Sequence, residues 1–450
     1  MGKFRRLRPA KLPTSAYPGP GERGRYRGAM GQSDGAAREP LRRRPFRLFW
    51  LSTTAGSAAL AIGAVAVDVL VIDVLSASEF EVGLVRAAQL VPYLLVGLVA
   101  GAYVDRWRRR PVLLSTHLAQ AGLLLAIPLL HVLGLLTLPA AVAVLFLAGC
   151  CAVFTAAAEQ SWVPDLVPRT ELVAANARVA QSMTVTQSLA PAAAGGLTSL
   201  LGAPVALAAV SLTRLGGALA VARMPRTAEA EEVPAAEREP VLRAVARGVR
   251  FTYGHRVLGP LAVSTHVWFV ANAVAVVVLG LLVLRTLALP AAAYGLILTA
   301  AGVGGVAGAL LATRLARLLG EGRVVVVSRL VCALGWAAVA FAPVTAPTAL
   351  LVTYLALCQA VIGVSMGAEE PSEMGLRHDV TPRAMLGRVS ATYRSANRTA
   401  AVVGALAGGA LATALPLRTT LLVVAAVFLA AVAVAACSGV RTARIADDAG

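Results

Sequence analysis

Long apolar runs separated by short polar segments dominate the chain from Phe49 onward. Twelve of them, at 49–75, 82–104, 111–134, 138–161, 175–200, 203–222, 258–284, 290–312, 323–343, 346–368, 388–412 and 417–438, are long enough to cross a hydrocarbon core of about 30 Å as helices. Helices are required because backbone polar groups in lipid must be satisfied within each segment. The polar segments differ in charge. Every second one is basic: Asp105-Arg106-Trp107-Arg108-Arg109-Arg110, then Arg169 with Arg178, Arg223 to Arg256, Arg314 with Arg317 and Arg323, Arg377 with Arg383 and Arg388, and finally Arg441 with Arg444. The segments between them are short and nearly free of cations, Arg285 and Arg418 excepted. Basic loops stay in the cytoplasm. The pattern therefore predicts a multi-pass protein of a bacterial inner (cytoplasmic) membrane with both termini cytoplasmic.

The expected fold class is an all-α membrane protein of about twelve transmembrane helices in two six-helix pseudo-symmetric halves. Residues 1–45 read as a basic disordered tail, 46–222 as the first half, 223–257 as a cytoplasmic linker, 258–440 as the second half and 441–450 as a second tail. Within the linker, Val241 to Tyr253 has helical spacing with Arg243, Arg247 and Arg250, which predicts a helix on the membrane surface. The halves read as a repeat at an offset of 214: Glu159 matches Glu373, Asp165 matches Asp379, Pro168-Arg169 matches Pro382-Arg383, and Gly195 matches Gly409. Parallel six-helix repeats are built this way in one large transporter fold.

Composition agrees with the bilayer as solvent. The chain is 58% hydrophobic and 14% charged, against about 25% charged in soluble domains. The net charge of +18 suggests a nucleic-acid partner until it is mapped. Residues 1–45 hold twelve cations against three acids, half of the net charge, in a Gly- and Pro-rich segment that cannot bury a core. Topology accounts for most of the rest, so no nucleic acid is expected. Met30 is an alternative start, because residues 1–29 contain nothing structural. Arg43-Arg44-Pro45-Phe46 faintly resembles a twin-arginine signal, but the apolar run that follows is too long for a cleaved one. The five cysteines lie in apolar stretches without metal-ligand spacing, and no H-E-x-x-H occurs, so no metal, cofactor or enzymatic centre is expected.

Gly101-Ala-Tyr-Val-Asp105-Arg106-Trp-Arg-Arg109-Arg110, between spans two and three, resembles the G-x-x-x-D-R-x-x-R-R signature of the major facilitator superfamily. Val163 to Pro168, Gly248 to Leu258 and Leu386 to Arg394 resemble its enterobactin-exporter and macrolide-efflux branch. The resemblance implies a monomeric secondary transporter that exports a small amphiphilic molecule (natural product, siderophore or drug), with protons as the coupling ion and alternating access as the mechanism. Import by the same fold, or a binding or regulatory role without transport, are the other readings. The resemblance also implies that the Gly101, Asp105, Arg106, Arg109 and Arg110 loop latches the outward-facing state and that spans one, four, seven and ten line the cavity. Two departures stand out. The second-half loop near Arg314 lacks the acid, and the antiporter-like Pro191, Gly195 and Gly196 follow Ala190 where the family has glycine.

Ionisable residues inside spans are costly and mark pathways or pairs. Asp68 and Asp73 in span one are separated by about 140° on an α-helix. One of them is expected to pair with Arg86 and the other to titrate, with Asp68 the candidate proton site. Glu159 in span four and Glu369, Glu370 and Glu373 in span ten are candidate cavity or gate acids. Arg214, Arg329 and Arg398 are the cations at depth, with Arg398 expected to meet either an anionic substrate or the span-ten acids. Trp268, Tyr294, Trp336 and Tyr354 read as packing or interface residues.

Overall fold

A computed structural model describes residues 40–97, 107–225 and 241–445. The described residues form helices joined by short turns and contain no strand. The first half contributes α1 (Arg44–Val69, extended by a π turn at Leu70–Val74), α2 (Glu79–Leu95), α3 (Arg109–Val132), α4 (Leu138–Leu166), α5 (Leu172–Leu201) and α6 (Ala203–Ala222). A separate helix, α7 (Val241–Gly254), precedes the second half. That half contributes α8 (Leu258–Gly280, with a π turn at Leu281–Thr286), α9 (Ala291–Leu319), α10 (Glu321–Ala340), α11 (Thr348–Asp379), α12 (Leu386–Ala414) and α13 (Leu417–Ala436). Spans one to six are thus α1–α6, and spans seven to twelve are α8–α13.

Several helices outrun their apolar segments. The hydropathy of span ten ends near 368, yet α11 continues to Asp379; α4 runs on to Leu166 and α9 to Leu319. Hydropathy reads only the part in hydrocarbon, whereas the helix continues until a proline or glycine stops it. Nine described helices are apolar and long enough to cross a membrane. Among the helices of the two halves the exceptions are α2, whose described part is short, and the counterparts α5 and α12. These two carry Asn, Ser, Thr and Arg and pack across the half boundary, α5 on α9 and α12 on α2. Polar side chains within a span are tolerated where they face protein or a water-filled cavity.

Packing within one half is repeated in the other. α1 packs on α5 and α6, and α3 on α4 and α6; correspondingly, α8 packs on α12 and α13, and α10 on α11 and α13. The repeat extends to backbone detail. After the first π turn, Leu75 donates to the Leu70 carbonyl and Ala77 to that of Val71; 212 residues later, Leu287 donates to Leu282 and Leu289 to Val283. Ser76 and Ala288, each inside one of these turns, have φ of 49° and 46°. The register is therefore 212 at the first spans and 214 from span four on.

The described residues of the basic segments gather at one end of the bundle, here called the basic end, with α7. Apolar cores at the two ends differ. Around the π turns at the far end, one cluster joins both halves, including Leu70, Val71, Ile72, Leu281, Leu282 and Val283. At the basic end each half has its own, around Phe46, Phe49 and Trp162 in the first and around Leu261, Leu376 and Val440 in the second. The halves are therefore fused at the far end and packed separately at the basic end.

Candidate functional site

The far end is closed by backbone contact and by charge. Gly83 on α2 and Gly409 on α12 approach so closely that a Cβ on Gly83 would lie 2.9 Å from the Gly409 Cα. The counterpart seam brings Gly195 of α5 against Gly295 of α9, where a Cβ on Gly195 would lie 3.0 Å from the Gly295 Cα. Small residues allow such contact in membranes. Around these seams the Ala192 amide donates to Thr299 Oγ1 (2.9 Å) and the Ala292 amide to Ser199 Oγ (2.8 Å), both across the half boundary. Gly196 meets nothing. Pro191 contributes its carbonyl, which lies against Gly295.

Charge adds to the closure. Arg285, at the end of the second π turn, donates to Glu79 Oε1 (2.9 Å) and to the Ala77 carbonyl. Ser78 and Glu81 form a capping box that fixes the start of α2 beside this contact. Asp68 is held twice: Arg86 of its own half lies 3.5 Å away, and the Tyr294 hydroxyl of the other half donates to the same oxygen at 2.9 Å. This corrects the expectation that Asp68 is the unpaired aspartate. Asp73, exposed at the π turn, stands in the field of Arg285, its counterpart at the 212 offset. A wider i→i+5 turn follows Asp68, so the angle drawn for a regular helix does not hold. Tyr294 is a hydrogen-bonding partner rather than mere packing.

Toward the basic end each half buries a polar cluster. In the second half Arg329 of α10 is fully buried. It donates to Glu369 (2.6 Å), Glu373 (3.1 Å), Thr265 Oγ1 (2.9 Å) and Ser264 Oγ, tying α8, α10 and α11 together. Glu370 is exposed and is not among the groups that Arg329 engages. In the first half Arg214 of α6 and Glu159 of α4 both lie within 4 Å of where a Cβ on Gly56 would sit, with His117 of α3 beside them. His117 shares a hydrogen bond with Ser52 Oγ (3.1 Å). His117 and Arg329 each lie eight residues into their counterpart helices. Among the described residues, Nε of Arg214 has no hydrogen-bond partner.

Arg398 does not reach the span-ten acids. Its guanidinium stacks 4.5 Å over the Tyr93 ring of α2, across the half boundary, because Arg329 already engages those acids from within the bundle. Beside it, His266 bridges Asn397 (2.7 Å) and Tyr253 of α7 (2.8 Å). Of the signature loop, Gly101, Asp105 and Arg106 lie outside the described residues. Arg109 pairs with Asp165 at 3.7 Å, and Arg110 donates to the Ala222 carbonyl at 2.7 Å, so this end of α3 is tied to α4 and α6.

Residues 36–449 match the family model of the transmembrane secretion effectors. A fold of two six-helix halves meeting at paired seams is that of a membrane transporter. The chain belongs to the transmembrane secretion effector family of the major facilitator superfamily. An uncharacterized MFS-type transporter, y4rN, of Sinorhizobium fredii is 27% identical over 335 residues, covering 74% of this chain and 80% of the relative. Among solved structures, the nucleoside transporter NupG superposes with a TM-score of 0.72 at 12% identity, covering 87% of this chain and 99% of that one. A bacterial homologue of the iron transporter ferroportin, in an inward-facing state, gives 0.69 at 16% identity, covering 88% and 98%. At such identities the likeness is one of fold. The chain is thus a membrane-embedded transporter of small molecules.

Proposed function

We propose that this transporter exports a small amphiphilic molecule from the cytoplasm in exchange for protons, as a monomer working by alternating access. In this reading the basic end faces the cytoplasm and the far end the exterior. The Gly101–Arg110 loop braces the basic end when that end shuts. Export is supported by the family description, the cytoplasmic placement of the basic end by the loop charges, and the amphiphilic substrate by the branch resemblance. Glu370 and Arg398 are the candidate cavity charges. Glu159, Arg214, Glu369 and Glu373 act as internal braces of their bundles.

The observation that carries the coupling is the double hold on Asp68, by Arg86 within its half and by Tyr294 from the other. Opening the far end must separate Tyr294 from Asp68 and expose the carboxylate to the exterior. Protonation there removes the attraction to Arg86 and weakens the Tyr294 bond, so the deprotonated carboxylate favours the closed far end and proton occupancy disfavours it. A membrane potential of about 100 mV adds roughly 2.3 kcal/mol per charge moved.

The test compares metabolites inside and outside the host with and without the gene, complemented by wild type or Asp68→Asn. One compound should accumulate inside the deletion strain, and wild type should restore its release. Asp68→Asn should release it about tenfold more slowly or worse, the cost of one charge-assisted contact, and should lose the response to external pH. Normal pH-dependent release by Asp68→Asn would remove Asp68 from the coupling. A compound that accumulates outside instead would reverse the direction.

A further inference from the structure

The linker helix α7 lies on the basic end with one face already engaged. A Cβ on Gly248 would meet Thr392 Oγ1 at 2.8 Å and the Arg388 carbonyl at 3.0 Å, and Thr252 on the same face is fully buried. This contact against α12 fixes the rotation of the helix. It leaves a recess of about 530 Å³ lined by Arg247, Arg250, Phe251, Gly254 and His255 from α7 and its end, with Met385 opposite, in the turn before α12. The five lining residues follow i, i+3, i+4 spacing and so share one side of the helix.

Its chemistry is specific. Arg247 and Arg250 bring two guanidiniums to an exposed helix face, and Arg250 has no ion-pair partner among the described residues. His255 Nδ1 accepts from the amides of Val257 and Leu258, both at 3.2 Å. The ring proton is therefore on Nε2, which makes His255 a third donor in the lining. Phe251 and Met385 supply apolar wall. Along the other flank of α7, Val249 and Tyr253 are each 41% exposed, as expected for a helix lying in the interfacial plane. Clustered donors next to apolar wall, at the basic face of a membrane protein, match a ligand that carries an anionic phosphate on an apolar body.

We propose that this recess binds the headgroup of an anionic phospholipid of the adjacent leaflet, with the phosphate on Arg247, Arg250 and His255 and the glycerol region against Phe251 and Met385. Arginine suits the role because its fork engages phosphate oxygens two at a time. A free phosphate would use the donors and leave the apolar wall bare. The inference needs only membrane embedding and is independent of export or proton coupling.

The test is native mass spectrometry of the full chain in detergent, titrated with dioleoyl phosphatidylglycerol, dioleoyl phosphatidylcholine or inorganic phosphate. Wild type should retain phosphatidylglycerol over phosphatidylcholine. The double variant Arg247→Gln/Arg250→Gln should bind it about thirtyfold more weakly, whereas Arg314→Gln/Arg317→Gln, also exposed at the basic end, should bind as wild type. Should the double variant not purify, Arg250→Gln alone carries the test with an expected loss of about fivefold. Equal retention of phosphatidylglycerol by wild type and variant, equal retention of phosphatidylcholine, or displacement of the lipid by equimolar inorganic phosphate would each overturn the proposal.

Discussion

Replacing Arg329 with methionine is expected to remove most of the folded transporter from the membrane. The guanidinium is fully buried and donates to Glu369, Glu373, Ser264 and Thr265. Removing one partner of a buried pair costs about 3–5 kcal/mol, because the remaining charge is stranded. Here two carboxylates lose their cation together, and three helices lose the group that joins them. The stabilities of whole domains are about 5–15 kcal/mol, so the loss is a large fraction of the total. Thermal unfolding of the detergent-solubilised protein measures it. Arg329→Met/Glu369→Gln/Glu373→Gln should recover much of the loss, since a neutral cluster leaves no charge unpaired. Arg214→Met should cost less than Arg329→Met, because the Arg214 Nε lacks a hydrogen-bond partner among the described residues. An Arg329→Met protein that unfolds at the wild-type temperature would show that this cluster does not hold the second bundle together.

That cluster also marks where sequence reading ends. A cation inside an apolar span announces itself, and Arg329 stood out among the cations at depth. What it binds depends on how α10 faces α8 and α11, which hydropathy does not encode. The twelve spans were legible because length and apolarity are one-dimensional properties, and the alternating basic loops gave an independent check. Which aspartate pairs with Arg86 is not legible, because a π turn follows Asp68 and an i→i+5 turn leaves no compositional trace. Tyr294 reads from the sequence as a packing or interface residue for a related reason. An aromatic residue near a span end usually packs, and its hydroxyl acquires a role only because the opposite half brings Asp68 to it. The repeat was visible at Glu159 and Glu373 and at Gly195 and Gly409 through one offset. The two-residue shift to 212 concealed the matches of Gly83 with Gly295 and of His117 with Arg329.

Those glycines carry the second large prediction. Gly195→Leu combined with Gly409→Leu should leave a folded protein that cannot close its far end and therefore does not transport. Each position faces backbone rather than a flexible side chain: the Gly295 and Ala292 Cα atoms oppose Gly195, and the Glu79 and Phe80 carbonyls oppose Gly409. No rotamer change can make room, so the halves must separate. Overpacking costs about 1–3 kcal/mol per site and occasionally more, borne only by the closed far end. Two sites together approach the roughly 5.5 kcal/mol that inverts a two-state equilibrium from 99:1 to 1:99. Folding itself should not suffer, because leucine favours a helix over glycine by nearly 1 kcal/mol and each bundle keeps its own contacts. Alternating access needs both end states, so transport should fall by about two orders of magnitude while the protein remains monodisperse. Cysteines introduced at Ala192 and Thr299, either side of the seam, should react with a membrane-impermeant thiol reagent faster in the double variant than in the wild-type background, where the seam is shut for part of each cycle. Gly196→Leu is the control, since a side chain there meets open space. Transport at the wild-type rate by the double variant would mean that the two seams are not what shuts the far end. Lost transport with the introduced cysteines reacting no faster than in the wild-type background would place the damage elsewhere in the cycle.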